Sequence, residues 1–412
     1  MKILFLNTFD DPVDGGGTEV TLWTLMRSLV SAGHQCILLS TTREAGIRYE
    51  ERDGVRVWRA GIRNVYWPSK NSKRPSSFSR LLWHGIDSYN PFMQSYLRKV
   101  ISEEKPDVVS IHNLPGWSAA AWKTLRQLGI PCVQVLHDQY ALCAKSSMYN
   151  DGDNCDQPCV SCRALRLPHR AMSQSVSAVV GVSRFVLDRH LHFGRFTQVK
   201  HREVIHNVRM ARNLGIGKSS QPHEGFRVGF IGRLDPSKGV EGLLGAFARY
   251  ERKDAELWIA GNGDKEYENA LRRLSAADSR VRFLGRKSPE QFYPNVDIVV
   301  VPSLWNDTFP GVVFESFAFG KPVIGARRGG IAEMLHDEWN GLLFEPSEEG
   351  ELLDAIKRLG SDDAERKAMA DRCRESARPF LDVTSWVSDY VALYERLIRE
   401  TGGGSSASIV KE

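Results

Sequence analysis

No run in this sequence approaches the ~20 consecutive apolar residues that cross a bilayer as a helix, so a membrane-spanning protein is not expected. The opening MKILFLNTFD offers only Ile3–Leu6 as an apolar stretch, too short for a secretory leader, and reads as a first strand. Cysteine is sparse and odd in number, seven in 412 residues, which argues against a disulfide framework and for a reducing cytoplasm. A G-x-G-x-x-G run is also missing. The glycines of DPVDGGGTEV are spaced differently, and no acidic residue closes the second strand, which disfavours nicotinamide binding. Nor does any motif that reads bases accompany the net charge of +5, so no nucleic-acid partner is expected.

The length fits two domains, because single cores stop growing at a few hundred residues. Charge is unevenly spread: residues 1–205 carry 26 Lys+Arg against 18 Asp+Glu, and the remainder 29 against 32. Much of the basic excess lies in Arg52–Arg80, among Trp58, Tyr66, Trp67, Phe78 and the nearby Trp83. Such a stretch can attract an anionic membrane surface or a phosphate-bearing acceptor, or it is a solvated loop whose rings pack on the domain.

Short apolar runs alternate with helix-length segments. In the first half they are Ile3–Leu6, Cys36–Leu39, Val55–Trp58, Val108–Ile111, Cys132–Leu136 and Ala178–Val182. In the second they are Arg227–Ile231, Glu256–Ala260, Val281–Leu284, Ile298–Val301, Pro322–Gly325 and Gly341–Phe344. Strands spaced by helices predict an α/β protein with two doubly wound, Rossmann-like domains. The expected division is 1–205 for the first domain, 206–225 for a linker, 226–379 for the second domain and 401–412 for a disordered tail. A helix over 380–400 is expected from the spacing of Trp386, Tyr390, Leu393 and Leu397.

Two stretches hold most of the chemistry. Between Asp297 and Glu333, the carboxylates Asp307 and Glu315 stand eight residues apart, after a strand and around a helix start. That position is where open α/β sheets bind ligands. In GRLDPSKG, Arg233 and Lys238 can bring two cations to one turn after Gly232, ahead of a helix. Cations are disfavoured at a helix N-terminus unless an anion joins them. His112 follows VVSI and His137-Asp138 follows VQVL, at the carboxyl ends of expected neighbouring strands. Each histidine is otherwise a capping or core residue. Gly15, Gly16 and Gly17 permit close approach of a phosphate, or form a tight turn capped by Thr18.

These motifs resemble those of retaining glycosyltransferases of family GT4, and the resemblance runs from the first strand to about residue 395. The acid-x7-acid spacing and GR-x4-KG match; the first acid is Asp307, one methylene shorter than the family's usual Glu, and Pro310 removes a backbone N–H. The resemblance implies a GT-B fold, two Rossmann-like domains facing across a cleft, with the helix 380–400 crossing back to an acceptor-side first domain. It implies a nucleoside-diphosphate sugar donor of UDP or GDP type, transfer with retention to a glycan or lipid-linked acceptor, and no catalytic metal. Arg233 and Lys238 would hold the diphosphate, Glu315 the ribose, and Asp307 the sugar hydroxyls. His112 would position the donor sugar, with His137, Asp138 and Glu333 nearby. Gly15–Gly17, Gly232, Gly261, Gly263, Phe309 and Gly311 would line the nucleotide. Polysaccharide or lipopolysaccharide assembly at the inner face of the cytoplasmic membrane is the implied setting. Another nucleotide-sugar enzyme of this fold, such as an epimerase, is one alternative; a degenerate nucleotide-sugar-binding protein is the other, and Asp307 keeps it open.

One further cluster stands apart. Cys143, Cys155, Cys159 and Cys162 end in C-x3-C-x2-C within a polar loop, as in a subset of the resembling enzymes. They can close a structural zinc site, or remain free thiols in a redox-sensitive loop.

Overall fold

The computed structural model describes residues 1–11, 16–68, 75–216, 223–348 and 350–403. The chain divides into two compact units: unit 1 is Met1–Met148, Asp156–His206 and Val383–Glu412, and unit 2 is Tyr149–Cys155 and Asn207–Asp382.

Unit 1 is built on an eight-stranded sheet. Its spatial order is His201–Val204, Ala178–Gly181, Cys132–Leu136, Val108–Ile111, Lys2–Leu6, Gln35–Thr42, Val55–Gly61 and Ile47–Arg52. All neighbours are parallel except the last pair. The central strands are mostly apolar because helices cover both faces; Val108–Ile111 and Cys132–Leu136 are buried at every position, Ser110 and Gln134 included. Ile47–Arg52 (IRYEER) escapes a periodicity search because it is an exposed edge strand whose charged residues block further pairing. It is joined to Val55–Gly61 through Asp53-Gly54, both at positive φ, the backbone a two-residue hairpin turn requires. The helix Val383–Gly403 belongs to this unit and buries Trp386, Tyr390, Leu393 and Leu397.

Unit 2 has six parallel strands in the order Val281–Gly285, Ala255–Ala260, Phe226–Ile231, Ile298–Val301, Val323–Ala326 and Gly341–Phe344. Numbered along the sequence this is 3-2-1-4-5-6, with the order reversing between Phe226–Ile231 and Ile298–Val301. One core joins Phe226, Val228 and Phe230 to Leu243 and Phe247 of the helix Val240–Ala248, and to Leu257, Ile259 and Ile356.

Three sequence expectations need correction. The carboxyl-terminal helix begins at Val383, after a 3-10 turn over Arg378–Phe380, and continues to Gly403. Thr401–Gly403 are therefore helical rather than part of a disordered tail; the Thr401 hydroxyl donates back to the Leu397 carbonyl at 2.9 Å. Residues 404–412 lie outside the described residues. Tyr149–Cys155, placed by sequence in the first domain, are grouped with unit 2. Within the expected linker, Ala211–Leu214 is a helical turn and Arg209 belongs to a side-chain cluster described below.

Candidate active site

The switch in strand order of unit 2 falls between two strands whose following loops are Gly232–Gly239 and Pro302–Asp307. Doubly wound sheets bind ligands at the carboxyl ends of strands on either side of such a switch. The loops are held together. The Lys238 Nζ donates to Asp307 Oδ2 at 2.5 Å and stands 5.0 Å from the Trp305 ring centroid. Leu304 N donates to Ser237 O at 2.8 Å. Arg233 pairs with Asp235 at 3.3 Å, and its side chain is more than half exposed. Asp235 in turn accepts from Ser237 N at 3.1 Å, capping the short turn that presents Lys238.

Glu315, on the helix Gly311–Ala318, accepts from Arg209 Nε at 3.0 Å and from the Tyr293 hydroxyl at 3.2 Å. Tyr293 is itself stacked on Phe319, 5.1 Å between centroids. Each carboxylate oxygen has lone pairs for a further donor, so the engaged Glu315 can still accept from ligand hydroxyls. Neither Arg209 nor Tyr293 carries a local sequence signal; both reach Glu315 from distant positions in the chain.

The glycines explain themselves sterically. A Cβ at Gly261 would lie 1.7 Å from Gly232 O, and one at Gly263 would lie 1.8 Å from Leu234 O. The two loops thus run backbone against backbone, with Gly232 N donating to Ala260 O and Leu234 N to Asn262 O, both at 3.0 Å. A Cβ at Gly311 would crowd the Arg209 guanidinium at 2.9 Å. Gly330 N donates to Asp307 O at 2.7 Å, so the RRGG turn before Glu333 fixes the backbone of the first acid. Phe309 is buried against Phe314 and Phe380, centroids 5.9 and 5.7 Å away, and any contact it makes to a ligand must use its backbone.

Unit 1 has its own switch, between Lys2–Leu6 and Val108–Ile111, and His112 follows the second of these. His112 is buried, and both its ring nitrogens are engaged: Nε2 with Ser110 Oγ at 3.1 Å and Nδ1 with His137 Nε2 at 2.9 Å. Tyr394 of the last helix donates to Ser110 Oγ at 2.9 Å, so the relay runs from Tyr394 to His137. In this arrangement His112 orients His137. The helix Gly17–Ser31 is N-capped by Gly16 without a side-chain bond, so Thr18 is not the cap; Glu19 in its first turn accepts from Asn7 Nδ2 at 3.0 Å. Gly15 lies outside the described residues, as do the basic residues Lys70, Lys73 and Arg74 of the Arg52–Arg80 stretch. On the neighbouring helix Ser77–Ser88, Phe78, Leu81, Leu82 and Ile86 are exposed. No helix among the described residues is long and apolar enough to cross a membrane.

Burial controls titration here. It holds His137 at about 3 and His190 at about 4, and keeps His112 and His169 well below the usual value. These rings are neutral when folded and take up protons below about pH 6.5 once unfolded. Their stabilisation is complete above that pH and drains away as pH falls towards 4, by at most about 1.4 kcal/mol per pH unit per ring. Asp87 and Asp138, pushed up to about 6 by burial, act oppositely, contributing most below about pH 4 and losing that contribution as pH rises through 6. With these four rings, and His84 likewise held at about 4 by burial, against two carboxyls, the thermal midpoint of unit 1 should drop between pH 7 and pH 5. A midpoint that rises over this range in calorimetry would refute this balance.

None of the described cysteines forms a disulfide, and Cys143 and Cys162 have their sulfurs 3.8 Å apart. Among the described residues no group of three or more His, Cys, Asp or Glu is gathered to hold a metal ion. The four thiols are thus not assembled as a zinc ligand set. The Cys162 thiol donates to Cys143 and pulls the latter's pKa down to about 6.

Comparison with known proteins bears on the same segments. Residues 16–207 match the family described as "Glycosyl transferase 4-like domain", and residues 225–362 match "Glycosyl transferases group 1". The chain is a GT4-type glycosyltransferase. It is 28% identical over 334 residues to an uncharacterized 42.6 kDa protein in the cps region of Klebsiella pneumoniae, covering 81% of this chain and 87% of that one. In structure it resembles sucrose-phosphate synthase from Thermosynechococcus elongatus, with a TM-score of 0.77 at 18% identity, over 97% of this chain and 99% of that one. Anabaena HepE in complex with UDP superposes with a TM-score of 0.71 at 19% identity, over 96% and 100% of the two chains. The fold of this glycosyltransferase is therefore GT-B, built from the two Rossmann-like sheets described above.

Proposed function

We propose that this glycosyltransferase moves a sugar from a nucleoside-diphosphate donor, of UDP or GDP type, to an acceptor hydroxyl with retention at the anomeric carbon. The observation that carries the reading is the pairing of Lys238 with Asp307 across the strand-order switch of unit 2, beside a Glu315 held by Arg209 and Tyr293. Breaking the bond from the anomeric carbon to the phosphate oxygen leaves charge on the diphosphate. Lys238, with the exposed Arg233, would neutralise it where it develops. The acceptor oxygen then bonds to the anomeric carbon, and its proton passes to the departing phosphate oxygen on the same face. Two cations so placed can stabilise the leaving group without a divalent metal. Glu315 would accept from the donor ribose and Asp307 from sugar hydroxyls.

A nucleotide-sugar donor is supported by HepE, whose structures contain UDP and UDP-glucose. The acceptor we infer is a glycan or lipid-linked hydroxyl, as the family resemblance implies. Thermal midpoints measured with UDP, GDP, ADP and TDP test the reading, since a ligand bound only by the folded state raises the midpoint by mass action. One diphosphate should stabilise the wild type selectively and fail to stabilise Glu315→Ala. No shift with any of the four at millimolar concentration would sink the nucleotide-sugar reading.

A further inference from the structure

Between Cys143 and Cys162 the chain makes an excursion that the glycosyltransfer reading leaves unused. It leaves unit 1 after Met148 and re-enters it at Asp156, and the intervening Tyr149–Cys155 is grouped with unit 2. Tyr149–Asn150 pairs antiparallel with Asp153–Asn154. The turn is Asp151-Gly152, with φ of 51° and 93°, a tight hairpin connection that these two residue types favour.

At the end of this hairpin Asn154 uses both ends of its amide. Its Nδ2 donates to Leu304 O at 2.7 Å, and its Oδ1 accepts from Asn306 N at 2.8 Å. Bonds to the carbonyl of one residue and the N–H of the second residue along are what a neighbouring strand would supply. The segment so held runs into Asp307 and includes Trp305, whose ring lies near the Lys238 ammonium. Its other edge is tied to Ser237, through Leu304 N at 2.8 Å and Trp305 N at 3.4 Å. Leu304–Asn306 is therefore clamped from both sides, by the turn that presents Lys238 and by the hairpin. Tyr149 also belongs to this neighbourhood: after burial, the charges of Asp153, Asp235 and Glu241 raise its pKa.

We propose that Asn154 is a positioning residue for the donor site, setting the Lys238–Asp307 pair in place for a nucleoside diphosphate. The inference rests on the donor reading above. An irregular loop presents its side chains accurately only if its backbone is fixed, and an amide satisfying two backbone groups at once does this without adding charge beside the phosphates. Asn154→Ala frees both groups. Asn154→Asp keeps the acceptor but sets a carboxylate against the Leu304 carbonyl.

Hydrogen exchange and UDP titration on the full-length chain separate the possibilities. In Asn154→Ala the Asn306 amide should exchange faster, and UDP should bind about tenfold more weakly. Asn154→Asp should weaken UDP at least as much. In a Lys238→Ala background, Asn154→Ala should cost no further UDP affinity, because it acts through that ammonium. Unchanged exchange at Asn306 would overturn the clamp whatever binds. Faster exchange with unaltered UDP affinity, or additive losses in the double variant, would overturn its role in the donor site. If the wild type binds none of UDP, GDP, ADP and TDP, the donor reading and this role fall together, while exchange at Asn306 still reports whether the clamp exists.

Discussion

Lys238→Ala should abolish most of the transfer activity, lowering the turnover of an accepted donor by roughly 10²- to 10³-fold, the cost of removing one preorganised charge stabiliser from a transition state. The Lys238 side chain is 22% exposed, its ammonium stands 2.5 Å from the carboxylate of Asp307, whose side chain is 10% exposed, and it lies beside an indole ring. It is thus presented in a site of low polarity, where its field on a departing diphosphate is weakly screened. Removing it leaves Asp307 buried without its cation, so the variant should also lose stability. Lys238→Ala combined with Asp307→Asn separates the two effects: stability should return while transfer and diphosphate affinity stay low. A single variant that keeps wild-type turnover, measured well below its melting temperature, would remove Lys238 from the mechanism.

Gly261→Ala should be the most damaging small substitution in unit 2. The added methyl would meet the Gly232 carbonyl oxygen at 1.7 Å and its carbon at 2.9 Å, at a residue with φ of 141°. Both clashing atoms are backbone, so no rotamer change relieves them, and the loop that presents Arg233 and Lys238 must move. A cost of about 3 kcal/mol, the upper end of overpacking effects, is expected. For a unit of this size that lowers the thermal midpoint by about 6–12 °C, with diphosphate binding lost as well. Gly245→Ala is the control, since this glycine is exposed in the helix Val240–Ala248 with nothing within 4 Å of its added methyl. Alanine there should stabilise by about 0.5–1 kcal/mol. Equal midpoints for the two variants would show that the contact of the two loops does not matter.

The reason for Gly261 also marks where sequence reading stops. Its place after the strand Ala255–Ala260 was legible, as was the likeness to loops that face a nucleotide. The need for glycine, however, arises from Gly232, far away in sequence and adjacent only once the two strands pair in parallel. Arg209 is a similar case. It stands in a stretch that reads as linker, and only packing brings its guanidinium to Glu315. His112 was recognised by its place after a buried strand, yet its bonds to Ser110 and His137, and the bond from Tyr394 to Ser110, join two strand ends and the last helix.

What the sequence determined by itself was whatever depends on neighbours along the chain. Buried parallel strands reveal themselves as apolar runs, because both faces must exclude water. The spacing of the two acids and the Arg–Lys pair is likewise local, since it is fixed along the chain. Edge strands such as Ile47–Arg52 were invisible, because solvent on both faces imposes no period on their residues. The tertiary structure alone decided which side chains complete the site. Hydrogen bonds such as Asn154 to Asn306, or Tyr293 to Glu315, join residues whose closeness is set by how the layers pack.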